Sequence, residues 1–370
     1  MNRGAAVQLG LGAMLMAVLT RAAAMYEPFP GWDGDPLAGL SAITGLGPTA
    51  CLMLDAITVL AGALVLVASR GRPGWASGLG LLAAVGVIAR SAILDWTDTE
   101  PLPVAGAWAS GAVAFAAACC VARRAALRRF AIAVVLGFLC VLLAKSAGQL
   151  LFEHPAVVAS FDLNRDAALA SRGFEPGSAA ALQFERRLRQ PDITAWFGLS
   201  NVLAAFLVAG ALGAGAVCWT RRHHWKRPAW IAVLALTVLC AIGVLATGSK
   251  AGLLIMVLGA GVFAVAGLGG ARLGLLAAIG LWLLPVAAIV GRGAIGTASD
   301  ELSLLVRWFY VSTAAEIGVD RLPWGTGIDG FRAAYALGKP AIATETVTSS
   351  HNAIADWFAM LGVAGIPFVA

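Results

Sequence analysis

Residues 228–270 read PAWIAVLALTVLCAIGVLATGSKAGLLIMVLGAGVFAVAGLGG. Two apolar runs, 228–247 and 251–270, meet at a polar turn containing Gly248, Ser249 and Lys250. A helix needs roughly 20 mostly apolar residues to cross the hydrocarbon core of a bilayer, and each run supplies them. A turn this short makes the two helices antiparallel neighbours. The stretch therefore predicts a transmembrane hairpin.

Working outward, runs of the same kind occupy 5–25, 47–69, 75–94, 103–122, 130–150, 194–218, 272–291 and 350–370, so about ten spans are expected. The first run is too long, and too poorly followed by a cleavage signal, to be a removable signal peptide; it reads as a retained anchor. Composition points the same way. Of 370 residues 60% are apolar and 12% charged, with a mean hydropathy of +0.84. A soluble domain carries about 25% charged residues, so soluble domains are excluded. The 44 glycines follow no collagen period, and the long Ala/Leu/Val runs exclude disorder. The expectation is an all-α polytopic transmembrane helical bundle, one integral-membrane domain over residues 1–370.

The net charge of +6 is explained by where the charges sit. With the N-terminus cytoplasmic, the inner side takes Arg3; Arg70 and Arg72; Arg123, Arg124, Arg128 and Arg129; Arg221, Arg222, Lys226 and Arg227; and Arg272. Of the 20 carboxylates, all but Asp55 and Asp356 fall in outer segments, and those two lie in spans. This is the positive-inside pattern. No basic stripe with interleaved aromatics marks a nucleic-acid surface, so no nucleic-acid partner is expected.

Two outer segments are long, about 151–193 and about 292–350, and loops of that length usually carry function. Residues 179–189, AAALQFERRLR, predict a short amphipathic helix. In 300–318, Asp300 and Glu301 open a periodic run that Gly318 closes, predicting a second helix. Both are expected on the outer membrane face. The six cysteines (Cys51, Cys119, Cys120, Cys140, Cys218 and Cys240) all fall in expected spans without ligand spacing, so neither a metal site nor a disulfide framework is expected.

Ionisable residues inside spans default to functional hypotheses. Arg21, Asp55, Arg90 and Lys145 qualify, and Lys250 opens a span, all toward outer helix ends. Snorkelling accounts for single cations such as Arg21 or Arg90. Together, the cations at one face point to an anionic ligand such as a pyrophosphate, or to pairing with Asp55.

Four outer stretches carry candidate chemistry. The first is Arg186-Arg187-Leu188-Arg189 followed by Trp196-Phe197-Gly198-Leu199-Ser200-Asn201. The second, Thr247-Gly248-Ser249-Lys250-Ala251, lacks GxxxxGK[ST] and a preceding strand; what survives is an anion site at a helix N-terminus. The third is Arg307, followed by Trp324-Gly325-Thr326-Gly327-Ile328-Asp329-Gly330-Phe331 and Tyr335. Its aromatics read either as a sugar-stacking surface or as a turn followed by a packed helix. The fourth is Ser349-Ser350-His351-Asn352, with one of only four histidines.

Taken in order, these stretches resemble the O-antigen ligase/polymerase family of bacterial membrane glycosyltransferases. The residues that carry the resemblance are Phe197 to Asn201; Gly248 to Ala251; Arg307 with Pro323, Gly325, Gly327, Phe331 and Tyr335; and His351-Asn352 with Gly362 and Gly365. It covers roughly 185–370. Two positions depart from the family pattern. Lys250 stands where arginine is usual, which keeps the charge but loses the bidentate fork. Met360 stands where an acid is usual, with Asp356 one turn earlier. Family members continue with further helices, so more chain beyond Ala370 is expected.

The resemblance implies metal-independent, cofactor-free transfer of a glycan from a polyprenyl-pyrophosphate donor to an acceptor hydroxyl, at the periplasmic face of the inner membrane. It implies His351 and Arg307 as catalytic residues. Arg189, Lys250, Ser249, Asn201, Asn352 and Tyr335 would bind substrate, with Arg189, Lys250 and Arg307 clamping the pyrophosphate. The partners would be a lipid-linked glycan donor, a lipid or glycan acceptor, and membrane lipids. The same family includes repeat-unit polymerases, and the sequence does not separate ligase from polymerase. A lipid-linked glycan transporter is the alternative of another class. The lack of an internal repeat and the clustering of charge at one face weigh against it.

Overall fold

The computed structural model describes residues 3–23, 46–69, 74–94, 101–299, 302–343 and 345–369. All regular structure among the described residues is helical. Eight helices are long and apolar enough to cross a bilayer: Gly4–Ala23, Pro48–Ser69, Trp75–Leu94, Leu102–Ala122, Ala125–Leu163, Ser200–Arg221, Arg227–Ala246 and Lys250–Gly270. The protein is a multi-pass membrane helical bundle. It divides into two compact units, one made of Met1–Arg21, Pro48–Ala131 and Trp282–Ala370, the other of Ala22–Gly47 and Ile132–Leu281.

In the first unit, α1 (Arg3–Ala23), α2 (Pro48–Ser69), α3 (Trp75–Leu94) and α4 (Leu102–Ala122) associate, with α4 packed on both α2 and α3. Lipid tails are as apolar as leucine, so these contacts rely on close packing of small residues. Ala83 and Ala84 of α3 meet Ala112 and Val113 of α4 in such a seam. Val7, Leu11 and Met14 of α1 pack on Ala61, Val65, Ala117 and Val121. The C-terminal part adds α12 (Leu302–Asp320), α13 (Gly330–Gly338), α14 (Ala353–Leu361), a 3-10 turn Gly362–Gly365 and α15 (Ile366–Val369).

The second unit begins within α5 (Ala125–Gly148), which runs on through a π-helical turn, Gln149–Glu153, into α6 (His154–Leu163). After α7 (Arg165–Ala170) and α8 (Ala179–Leu188) come α9 (Ser200–Arg221), α10 (Arg227–Ala246) and α11 (Lys250–Ser299). Leu142, Leu203, Leu207, Cys240 and Val244 form the core between α5, α9 and α10. Phe161, Ala168, Leu169 and Ala181 form a separate small core under α6 to α8.

The two expected helices and their short connection are present: α10 ends and α11 begins around Thr247–Ser249, and α11 is broken by Gly270 at φ 80°, ψ 176°. The helix in 179–189 is also present as α8. Three expectations change. Of the ten spans, 272–291 lies within the helical run of α11, but 350–370 does not reach spanning length among the described residues, which hold the shorter apolar helix Ala353–Val369. In that stretch, Gly362 at φ 57° ends α14 after nine residues, so no straight helix crosses there. The helix expected to stop near 150 continues through the π-helical turn to Leu163. Gly318 does not stop α12, which continues to Asp320; a Cβ there would collide with the Phe358 ring. Asp300, Glu301, Arg70 and Arg72 lie outside the described residues, as do the outer carboxylates within 24–45 and 95–100.

Candidate functional site

His351 sits in the turn that starts α14. Asn352 caps the helix, its Oδ1 accepting the N–H groups of Ile354 (3.1 Å) and Ala355 (3.2 Å). Asp356, in the first helical turn, reaches back to the preceding residues. Its Oδ2 accepts the Ser349 hydroxyl at 2.7 Å and its Oδ1 accepts the Ser350 N–H at 2.7 Å. Ser349 Oγ accepts the His351 N–H at 3.0 Å, and Ser350 Oγ accepts that of Asn352 at 3.3 Å. This network holds His351 at φ +56°, a left-handed conformation that costs an L-residue about 1–3 kcal/mol. Asp356 therefore has a defined role: it fixes the turn that presents the histidine.

The imidazole is exposed and makes no hydrogen bond among the described residues. It lies tilted by 57° against the Tyr310 ring, centroids 5.5 Å apart. Tyr310 is buried on α12 and donates its hydroxyl to the Glu345 carboxylate. Burial first, and that hydrogen bond second, push its pKa up to about 12. Lys339 Nζ donates to the Glu345 carbonyl at 2.8 Å, fixing the backbone of the same residue. Arg307, one helical turn before Tyr310, is exposed and unpaired among the described residues; its charge lowers the Tyr310 pKa against the larger raising effects.

Tyr335 does not belong to a substrate surface. It is 0% exposed, stacked on Phe331 (5.9 Å) and edge-on to Tyr310 (6.0 Å), and burial raises its pKa. The i, i+4 spacing of Phe331 and Tyr335 puts both on the apolar face of α13, so the packed-helix reading of these aromatics is the correct one.

The glycine-rich segment before α13 is likewise a packing device. Thr326 N–H donates to the Ala359 carbonyl (2.9 Å), Gly327 N–H to that of Met360 (3.1 Å), and Val363 N–H to that of Pro323 (2.9 Å). The first two satisfy carbonyls that the end of α14 leaves open. Gly325 (φ 70°) and Gly362 (φ 57°) permit the approach: a Cβ on Gly325 would lie 2.5 Å from the Met360 oxygen, and one on Gly362 would strike the Pro323 carbonyl. Arg90, expected among the cations facing a ligand, is 4% exposed and donates Nε–H to the Trp324 carbonyl at 3.0 Å. Arg21 pairs with Asp55 at 3.5 Å, and Ser110 donates to the other oxygen of Asp55 at 2.8 Å.

In the second unit, Ser249 is the cap of α11. Its Oγ accepts the Gly252 N–H (3.1 Å) and donates to Asn201 Oδ1 (2.7 Å), tying the starts of α9 and α11 together. Lys250 is exposed, with no hydrogen bond or ion pair among the described residues. Its positive helix end is already approached by an acid, since a Cβ on Gly248 would lie 2.6 Å from Asp192 Oδ1. Gln149 supports this region: its Oε1 accepts the N–H groups of Thr194 and Ala195 (2.9 Å each), and its Nε2 donates to Thr194 Oγ1 (3.0 Å). Ala195, at φ 51°, is held left-handed by those bonds.

Arg189 is not a free clamp. Its guanidinium forks onto Asp162, at 2.5 and 3.4 Å, and that hydrogen bond raises its pKa. Lys145 pairs with Glu153. Arg186 and Arg187, next to Arg189, are exposed. The sequence-predicted residues thus form two sets: His351, Asn352 and Arg307 around α12 and α14, and Asn201, Ser249 and Lys250 around the start of α11. Asp356, Tyr310, Glu345 and Gln149 join them; Tyr310 and Gln149 come from helices distant in sequence, which no local motif marks. Among the described residues no three His, Cys, Asp or Glu side chains converge as metal ligands, and the cysteines are free thiols. Comparison with protein-family models, curated proteins and solved structures finds no match for this chain.

Proposed function

We propose that this protein is a membrane glycosyltransferase that moves a glycan from a polyprenyl-pyrophosphate donor to an acceptor hydroxyl, an O-antigen ligase-like activity in cell-surface polysaccharide assembly. The observation that carries the proposal is His351: an exposed imidazole with no hydrogen-bond partner among the described residues, on a left-handed turn fixed by four neighbouring side chains. Strain maintained by such a network is common at functional positions. The order of the surrounding motifs along the chain supports the same activity.

His351 takes the proton of the acceptor hydroxyl as that oxygen bonds to the anomeric carbon. The bond from that carbon to the phosphate oxygen breaks, and the pyrophosphate leaves with the electron pair. Histidine is the side chain most often used for such proton transfer. The leaving group is already weakly basic, so positive charge is the main further need. Arg307, unpaired among the described residues and on the helix that carries Tyr310 against His351, supplies it there. The clustering of basic residues in alternate loops supports an inner-membrane orientation, with a cytoplasmic N-terminus and His351 facing the periplasm.

The test is reconstitution of the full chain in proteoliposomes with a polyprenyl-pyrophosphate-linked glycan and candidate acceptors. New glycosidic bonds are expected, with release of polyprenyl pyrophosphate. Movement of the intact donor across the bilayer without bond formation would replace this proposal with transport.

A further inference from the structure

Three rings run in series through the C-terminal part of the first unit: Tyr335, fully buried; Tyr310, edge-on to it at 6.0 Å; and His351, tilted on Tyr310 at 5.5 Å. Only the last is exposed. The hydroxyl of Tyr310 ends on Glu345, while the hydroxyl of Tyr335 has no partner among the described residues. Glu345 is fixed twice, by Tyr310 through its carboxylate and by Lys339 through its carbonyl. Among the described residues the imidazole makes no hydrogen bond, so nothing described on its own turn selects its rotamer. Its ring neighbour among the described residues is Tyr310.

We infer that Glu345 and Tyr310 are positioning residues for His351: the carboxylate pins the tyrosine, and the pinned ring sets the orientation of the imidazole. A free histidine samples several rotamers, so a proton acceptor without a hydrogen-bonded partner gains its aim from the surface it rests on. The part-buried hydroxyl of Tyr310 is held by Glu345, and a donor shielded from water and left without its acceptor is costly, so the ring would shift to relieve it. Neither residue belongs to a motif beside His351; α12 and the segment after α13 bring them to it. Their part in transfer rests on the proposed glycosyltransferase activity, but the orientation itself does not.

Carbethoxylation of the purified full chain with diethyl pyrocarbonate, resolved residue by residue by peptide mass spectrometry, reads the His351 ring without any substrate. His154, His223 and His224 serve as internal controls. Tyr310→Phe and Glu345→Ala are expected to change the His351 rate by about fivefold, the factor one lost hydrogen bond represents, with the three controls unchanged. Glu345→Gln keeps an acceptor for the tyrosine and is expected to stay close to the unaltered rate. An unchanged His351 rate in Glu345→Ala would overturn the inference. So would equal rates in Glu345→Ala and Glu345→Gln, and that comparison decides the matter even if Tyr310→Phe folds poorly. In the transfer assay the expected signature is a kcat about fivefold lower in Glu345→Ala at unchanged KM, restored in Glu345→Gln. If His351 reactivity follows Glu345 while the unaltered chain forms no glycosidic bond, the positioning stands and the proposed activity falls. If transfer needs His351 and its reactivity ignores Glu345, the reverse holds.

Discussion

Replacing Asp356 with alanine removes two hydrogen bonds to a carboxylate, both at 2.7 Å, from Ser349 and from the buried Ser350 N–H. Bonds to charged groups are worth about 1.5–3 kcal/mol each, so the pair supplies about 3–6 kcal/mol. The left-handed backbone of His351 opposes this with about 1–3 kcal/mol. Without the carboxylate the balance reverses, and the turn opens. Asn352 still caps α14, so the helix persists and the damage stays local. Amide hydrogen exchange on peptides spanning 345–361 reads the effect directly. The Ser350 amide, protected by Asp356 alone, is expected to exchange roughly 10- to 150-fold faster in Asp356→Ala. Asp356→Asn keeps the acceptor for that N–H but loses the charge, and is expected in between. In the same variants, transfer is expected to fall with loss of protection. Unchanged Ser350 exchange in a folded Asp356→Ala protein would refute the account of this turn.

Other consequences concern packing and ionisation. Gly325→Ala and Gly362→Ala each force a Cβ onto a carbonyl at positive φ, and are expected to destabilise by about 2 kcal/mol or more. Gly173→Ala, also at positive φ but in open space, is expected to cost only about 1 kcal/mol, read by thermal melting in detergent. Asp55→Leu leaves Arg21 unpaired beside the core and is expected to lower the melting temperature clearly, while Arg21→Leu with Asp55→Leu recovers most of the loss. Because the Tyr310 pKa is raised above the ordinary value of 10.0 to about 12, its contribution to stability is fully present below pH 10 and lost as pH rises toward 12. Ultraviolet titration of a chain with three tyrosines resolves this: subtracting Tyr310→Phe from the unaltered protein is expected to leave a step near pH 12.

The bundle was legible because hydrophobic length and loop charge are local signals. The runs 228–247 and 251–270 needed nothing beyond composition, and the turn between them fell where Ser249 caps α11. Glycine was ambiguous. Gly318 reads as a stop, yet it is an interior position cleared for Phe358, and Gly362 breaks a run that hydropathy reads as continuous. The histidine turn was visible as Ser349-Ser350-His351-Asn352, but its geometry depends on Asp356, and its surroundings on Tyr310 and Glu345. Contacts over such separations leave no periodicity to read. The intramembrane cations show the same limit: their spacing suggested a shared ligand, whereas Arg21, Arg90 and Lys145 each bind a group of the protein itself. Arg307, left unpaired among the described residues, is the cation of the His351 region on which the proposed chemistry depends.

The most direct measurement compares glycan transfer by unaltered protein and His351→Ala, both as full chains in proteoliposomes at matched protein levels. Removing a general base costs about 10²- to 10⁴-fold, so the variant is expected to fall at least a hundredfold. Undiminished transfer by His351→Ala would contradict the central claim.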